Sequence, residues 1–209
     1  MIQLIMNKLK LQLDQLFSPF LNPPASEEEI LKAENEMGIK FPDELRKLYL
    51  LHDGEKEDGP GLFFGMPFLQ LNDVLQEWHV WAQLEEKFAL EGAFYSVPTG
   101  YIKERGINRN WIPISKDFGG NNIGIDVDPD KKGRIGQVIN FGRDEEIKYV
   151  IANQLSEFLL FISETILQGN YQIEQEEDYI YWNYENSTHF LDILKAIDLP
   201  VLDPVPKHN

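Results

Sequence analysis

Along the first third of the chain, apolar side chains recur at helical intervals. Leu4, Ile5, Leu9, Leu11, Leu13, Leu16 and Phe17 fall mostly three to five positions apart, which predicts a first helix ended by Pro19 and the Pro23-Pro24 pair. Ser26 stands three residues before Glu29, the spacing of a capping box. Ile30, Ala33 and Met37 then give a second helix its buried stripe up to Gly38. Pro42 opens a third helix carrying Leu45, Leu48, Tyr49 and His52, closed by Asp53-Gly54. Gly59, Pro60, Gly61 and Gly65 around Leu62-Phe63-Phe64 predict a loop entering a short strand. Asn72 is placed to cap a fourth helix whose apolar face is Val74, Leu75, Trp78, Trp81, Ala82 and Phe88.

Residues 92–110 show no clean period and read as an irregular insertion. From Trp111 the period shortens to that of strands, at 111–115, 122–128, 135–141 and 149–151, with residues 129–133 turning the second into the third as a hairpin. The alternation of Ile125 and Val127 with Asp126 and Asp128 predicts one buried and one wet sheet face. Leu155, Phe158, Leu159, Ile162 and Ile166 predict a closing helix ended by Gln168-Gly169-Asn170. Helices followed by sequential strands define an α+β chain.

With 43% hydrophobic and 12% aromatic residues in 209, the chain has ample material for a core. Its 19 basic and 35 acidic residues give a net charge of -16, which opposes a nucleic-acid ligand and favours a partner with a basic surface. Cysteine is absent, so neither a disulfide framework nor a thiolate site is available. Without a secretion signal or an apolar run near the ~20 residues of a membrane span, a cytoplasmic protein with no membrane partner is expected. After Asn170 the composition shifts, with eight acidic and two basic residues and the aromatics Tyr171, Tyr179, Tyr181, Trp182 and Tyr184. The expected division is a globular domain over 1–170 and an acidic, aromatic extension over 171–209 holding a short helix at 188–197.

Two blocks carry a family resemblance. One runs from Gly38 through Pro42, Leu48 and Tyr49 to Gly54. The other runs from Trp111-Ile112-Pro113 through Gly119-Gly120-Asn121 and Asp126-Val127-Asp128-Pro129 to Gly136 and Phe141-Gly142. Together they resemble the cell-wall-assembly and killer-toxin-resistance family of the SUKH superfamily over about residues 24–169. The resemblance implies a SUKH-like fold, a mainly antiparallel curved sheet flanked by helices, to which this chain adds the acidic C-terminal appendage. Gly38, Pro42, Tyr49, Gly54, Trp111, Pro113, Asp126, Asp128 and Gly136 then serve as architecture. It also implies a protein that binds and does not catalyse. Bacterial proteins similar to this one are immunity proteins, so the leading expectation is neutralisation of a cognate polymorphic toxin, for instance a nuclease, by occlusion. The alternative is an adaptor like the fungal members, which regulate cell-wall synthesis through protein contacts.

Asp126, Asp128 and Asp130 invite comparison with a calcium loop, but Pro129 stiffens it, Lys131 replaces the needed glycine and Gln137 replaces the closing glutamate. His52, His79, His189 and His208 have no paired ligand spacing, and neither a nucleophile elbow nor a phosphate loop is present. No catalytic residue, metal or cofactor is assigned. The candidate partner contacts are the loop Asp117, Phe118, Gly119, Gly120, Asn121 and Asn122, because loops on a rigid sheet carry recognition. A second set is Glu174, Glu176, Glu177, Asp178, Tyr179 and Trp182, where aromatics lie among steering carboxylates. Calorimetric titration with calcium is expected to show no stoichiometric site of micromolar affinity. Such a site, lost in Asp128→Ala, would contradict the reading of a broken loop.

Overall fold

Helix α1, Ile2–Gln12, turns Ile2, Ile5, Met6 and Leu9 into the protein and leaves Leu4 and Leu11 exposed. The apolar spacing marked more positions than one helix face can bury, so the stripe expected from Leu4 and Leu11 is corrected to the opposite side. The computed structural model describes residues 1–12, 18–87, 94–168, 172–176, 179–183 and 190–191. Leu13, Leu16, Phe17, Phe88, the Gly169-Asn170 helix end and most of the helix expected at 188–197 lie outside them.

Helix α2, Glu27–Met37, starts on the expected capping box. The Ser26 hydroxyl accepts from Glu29 N at 3.2 Å, and Ser26 N donates to the Glu29 carboxylate at 2.7 Å. Gly38 ends it at φ 68°, a left-handed conformation that disfavours a side chain. Helix α3, Asp43–Tyr49, follows Pro42 directly and stops short of His52, whose Nδ1 lies 2.8 Å from the Asn22 carbonyl.

Helix α4, Leu71–Lys87, is not capped by Asn72 as the sequence suggested. Its first amide, Leu71 N, donates instead to Asp53 Oδ1 at 2.8 Å. The neighbouring Gly54 has φ 69°, and a Cβ there would stand 2.4 Å from Gln70 N. Asp53-Gly54 is thus a joint fastening the end of α3 to the start of α4. Between them the chain wraps around Glu55, whose buried carboxylate accepts from the amides of Gly61 and Leu62 at 2.8 Å and Phe68 at 2.9 Å. In place of the short strand expected at Phe63 there is a single bridge to Met66.

The main sheet has the order β1-β5-β4-β3-β2. Its strands are β1 Tyr95–Val97, β2 Trp111–Lys116, β3 Asn121–Asp126, β4 Gln137–Gly142 and β5 Ile147–Ala152. Pairings are antiparallel except β1 with β5, which is parallel, so the segment read as irregular supplies an edge strand. Helix α5, Leu155–Leu167, packs on β4 and β5, and α4 packs on β2. Under this cover β3 is buried at every position, which corrects the expected wet face: Asp126 is fully buried.

Polar groups in such a strand need internal partners. The Asn122 carbonyl oxygen accepts from Trp81 Nε1 at 2.9 Å, and its amide donates to Ser115 O at 3.1 Å. Asp126 accepts from Asp128 N at 2.9 Å and from Gln137 Nε2 at 2.8 Å, while burial pushes its carboxyl up to about 6. At Gly124 a Cβ would stand 2.4 Å from the Phe141 ring, so the glycine lets that ring lie across the strand. Phe141 then meets Trp111 at 5.5 Å and Trp81 at 5.8 Å between centroids.

Two further strands, β6 Gln172–Glu176 and β7 Tyr179–Asn183, pair antiparallel. Trp182 fastens them to the Glu55 loop: its indole N–H donates to Gly61 O at 2.6 Å and its ring lies 5.5 Å from that of Phe64. Phe190 and Leu191 are buried, Phe190 against Phe64 and Phe158.

Two measurements check this packing. Trp111 is buried and its indole N–H has no hydrogen-bond partner among the described residues, so Trp111→Ala removes packing, including the ring face 5.5 Å from the Lys148 ammonium, and no hydrogen bond of the indole N–H. Urea denaturation is expected to show a loss of about 3–5 kcal/mol, and an unchanged midpoint would contradict burial. Burial raises the Glu55 carboxyl from 4.5 to about 7, against its three amide donors. A raised carboxyl stabilises the fold below its unfolded value and loses that contribution as pH climbs through the folded one. The stability of the wild type relative to Glu55→Gln is therefore expected to fall between pH 4.5 and about 7, by up to about 3 kcal/mol, and to stay level above. A difference independent of pH would show that Glu55 does not titrate in this window.

Candidate protein-interaction site

The turn between β2 and β3 is built around one carboxylate. Asp117 Oδ1 accepts from the amides of Gly119 and Asn121, both at 2.8 Å, and Oδ2 from the Asn121 side chain at 3.0 Å. Asp117 N donates to Asn121 O at 2.8 Å, and Gly120 adopts φ 91°. The next hairpin braces the turn, with Arg143 N donating to Gly120 O and Asp144 N to Asn121 Oδ1, each at 3.0 Å. Gly142 permits this approach, since a Cβ there would lie 2.4 Å from Asn121 Cα.

On this braced turn Phe118 projects with 113% relative exposure, and Gly119 beside it is exposed. A fully solvated aromatic on a turn with its polar groups already paired can be covered with little ordering cost. The other candidates of the loop have supporting positions. Asn121 and Asn122 are buried, which corrects their assignment as partner contacts: one locks the turn, the other ties β3 to Trp81 on α4. Lys116, Arg143 and Asp144 flank the turn and are not marked by the sequence pattern; Arg143 and Asp144 come near through the β3–β4 pairing, which has no local signature.

The acidic candidates separate differently. Glu174 accepts a hydrogen bond from Tyr181 OH at 3.3 Å across β6 and β7, and Trp182 faces its own domain. Glu176 and Tyr179 are register partners at the end of that hairpin, whereas Glu177 and Asp178 lie outside the described residues. Among the described residues no hydrogen bond, ion pair or ring contact joins this set to the Phe118 turn.

The motif residues occupy joints. Tyr49 OH donates to Leu69 O at 3.0 Å, Pro113 sits where the β2–β3 register shifts, and Gly136 at φ 93° lies against Pro42. Asp128 binds Lys103 and the Asn108 amide, so the three aspartates of the hairpin do not converge on a point. Among the described residues no group of three or more His, Asp or Glu side chains is arranged to hold a metal. Lys148 is buried under the Phe94 ring, 4.5 Å from its centroid, and burial lowers its ammonium to about 8. With its N–H on Glu145 O, and with Glu55 and Asp126 engaged as described, each strongly displaced group is absorbed by the fold.

The fold is thus an α+β domain that presents an exposed aromatic on a hydrogen-bonded turn and ties Glu55, Asp126 and Lys148 into internal hydrogen bonds. Residues 24–160 match the SMI1 / KNR4 family (SUKH-1), and the chain belongs to that family. It is 32% identical to the cell wall biosynthesis/cell cycle regulator smi1 of Schizosaccharomyces pombe over 178 residues, 78% of this chain and 35% of the relative. Identity is 27% with the cell wall assembly regulator SMI1 of Saccharomyces cerevisiae, over 76% of this chain and 39% of the relative. It is 26% with the glucan synthesis regulatory protein of Neurospora crassa, over 71% and 34%. The chain thus spans roughly a third of the length of these curated relatives. No helix among the described residues is long and apolar enough to cross a membrane.

Phe118→Ala is expected to leave folding stability within about 0.5 kcal/mol, because the ring touches solvent alone. Asp117→Ala strips three hydrogen bonds from the turn and is expected to cost about 1–3 kcal/mol by thermal denaturation. The reverse order of effects would show that the ring, and not the carboxylate, holds the turn.

Proposed function

We propose that this chain is the non-catalytic protein-binding module of a regulator, in the manner of the fungal relatives, and that the Phe118 turn anchors its partner. The observation that carries the reading is the full exposure of an aromatic side chain on a turn whose backbone is fixed by Asp117. Burying such a ring on association is worth about 1.5–3 kcal/mol. The relatives named above are regulators of cell-wall or glucan synthesis, which favours an adaptor acting on cell-surface assembly over the toxin antidote expected first. The antidote reading retains one observation, the net charge of -16, which would steer the chain to a basic toxin surface.

The two readings separate in the cell that encodes the protein. For an adaptor, Phe118→Asp reproduces the wall-stress sensitivity of a deletion while the protein remains folded and abundant. Full stress resistance in that variant would overturn the adaptor reading at this site. For an antidote, expression of the wild type restores growth to cells producing the toxin domain encoded beside it.

A further inference from the structure

The family match ends at residue 160, and the β6–β7 hairpin beyond it seats Trp182 on the loop that wraps Glu55. Gly61 O accepts two hydrogen bonds there, one from Gly65 N at 3.1 Å within the loop and one from Trp182 Nε1 at 2.6 Å. The indole meets the Phe64 ring edge-on, with 5.5 Å between centroids and 74° between planes. Gly65 lies beside it, and a Cβ at that glycine would have Trp182 Cδ1 as its neighbour at 3.9 Å. A carbonyl acceptor, an aromatic wall and a bare glycine thus form a seat for one indole.

The seat is fixed from inside the domain. Glu55 accepts from the amides of Gly61 and Leu62, and Phe63 and Met66 exchange backbone hydrogen bonds at 3.1 and 3.3 Å. Phe64, at φ 55°, is the one non-glycine residue among those described with a left-handed backbone, a conformation unfavourable for so bulky a side chain. Its ring lies 6.1 Å from that of Phe161 on α5 and 5.0 Å from that of Phe190, so the wall is braced on two further sides. The hairpin is built differently. β6 and β7 pair with each other along five positions, and neither joins the main sheet, so lifting them breaks no strand pairing of the domain.

We propose that this seat is a tryptophan-recognition site, filled in this chain by its own Trp182, and that the β6–β7 hairpin is a built-in competitor of a tryptophan-bearing segment on a partner protein. The resident side chain specifies the ligand. An indole brings a ring broad enough to reach both Phe64 and Gly65 and an N–H donor on its flank for Gly61 O. Phenylalanine lacks the donor, and tyrosine carries it at the ring tip. A competitor on the same chain acts at an effective concentration on the order of millimolar, so the partner must outbind the hairpin or meet the chain while it is lifted. The site is separate from the Phe118 turn and stands or falls independently of it.

Two measurements on the full chain test the proposal. Native-state hydrogen exchange is expected to show β6 and β7 exchanging through an opening that leaves β3 and β4 protected. Trp182→Phe, which keeps a ring but donates nothing to Gly61, is expected to speed that exchange about tenfold with β3 and β4 unchanged. The probe for the seat is N-acetyl-tryptophanamide, titrated into ¹⁵N-labelled Trp182→Ala. Saturable shifts are expected at residues 61–65, with affinity at least about tenfold weaker in the wild type, where the hairpin competes. The probe methylated on the indole nitrogen is expected to bind at least about tenfold more weakly, having no N–H. Exchange of the hairpin only together with β3, or unfolding of Trp182→Ala, would make the hairpin an integral part of the fold and overturn the proposal. So would the absence of saturable shifts, shifts centred elsewhere, equal binding of the methylated probe, or equal binding by the wild type.

Discussion

The ring of Phe141 lies across the backbone of Gly124, in space that any side chain on that residue would fill. From there it contacts Trp111 on β2 and Trp81 on α4, so one aromatic joins the centre of the sheet to the helix above it. Packing at this density leaves the strand no wet side, and β3 is buried throughout. The other features follow from that constraint. Polar residues in a strand buried on all positions must be paired within the protein, and the partners available lie in the loops and helices at its ends.

Those pairings fix the surface. Asn122 reaches Trp81 and Ser115 at one end of β3, just inside the turn where Asp117 gathers the amides that hold Phe118 out. At the other end Asp126 holds the backbone of Asp128 and the side chain of Gln137, setting the hairpin that carries Lys131, Lys132, Arg134 and Ile135. Asp53 and Glu55 repeat the device elsewhere, each a carboxylate that collects amides from a distant stretch of chain. In an acidic protein, part of the negative charge is therefore internal scaffolding and not a field for steering partners. The gain for a binding domain is preorganisation, because loops ordered before association need not be ordered during it.

What could be read from the sequence was what is decided locally. The Ser26 capping box, the Gly38 helix end, the α4 stripe of Trp78 and Trp81 and the turn joining β3 to β4 all depend on neighbours within a few residues, and each lies where the spacing put it. Asp53 as the partner of Leu71, the parallel edge strand β1 and the buried carboxylate of Asp126 depend on residues far along the chain, for which spacing has no signal. The site divides in the same way. The Phe118 turn is legible because Asp, Gly and Asn in sequence mark a fixed turn, whereas its bracing by Arg143 and Asp144 arises from strand pairing. Trp182 was marked for its type and turns out to bind Gly61, the ordinary outcome for an aromatic close to a folded core.

Recognition through the Phe118 turn, as proposed, requires that the turn be rigid before any partner arrives. Backbone ¹⁵N relaxation of Phe118, Gly119, Gly120 and Asn121 in the free protein tests it most directly. Order parameters near those of the sheet, about 0.85, are expected at all four amides. Values below about 0.6 at Phe118 and Gly119, with the flanking strands rigid, would show a mobile loop and contradict it.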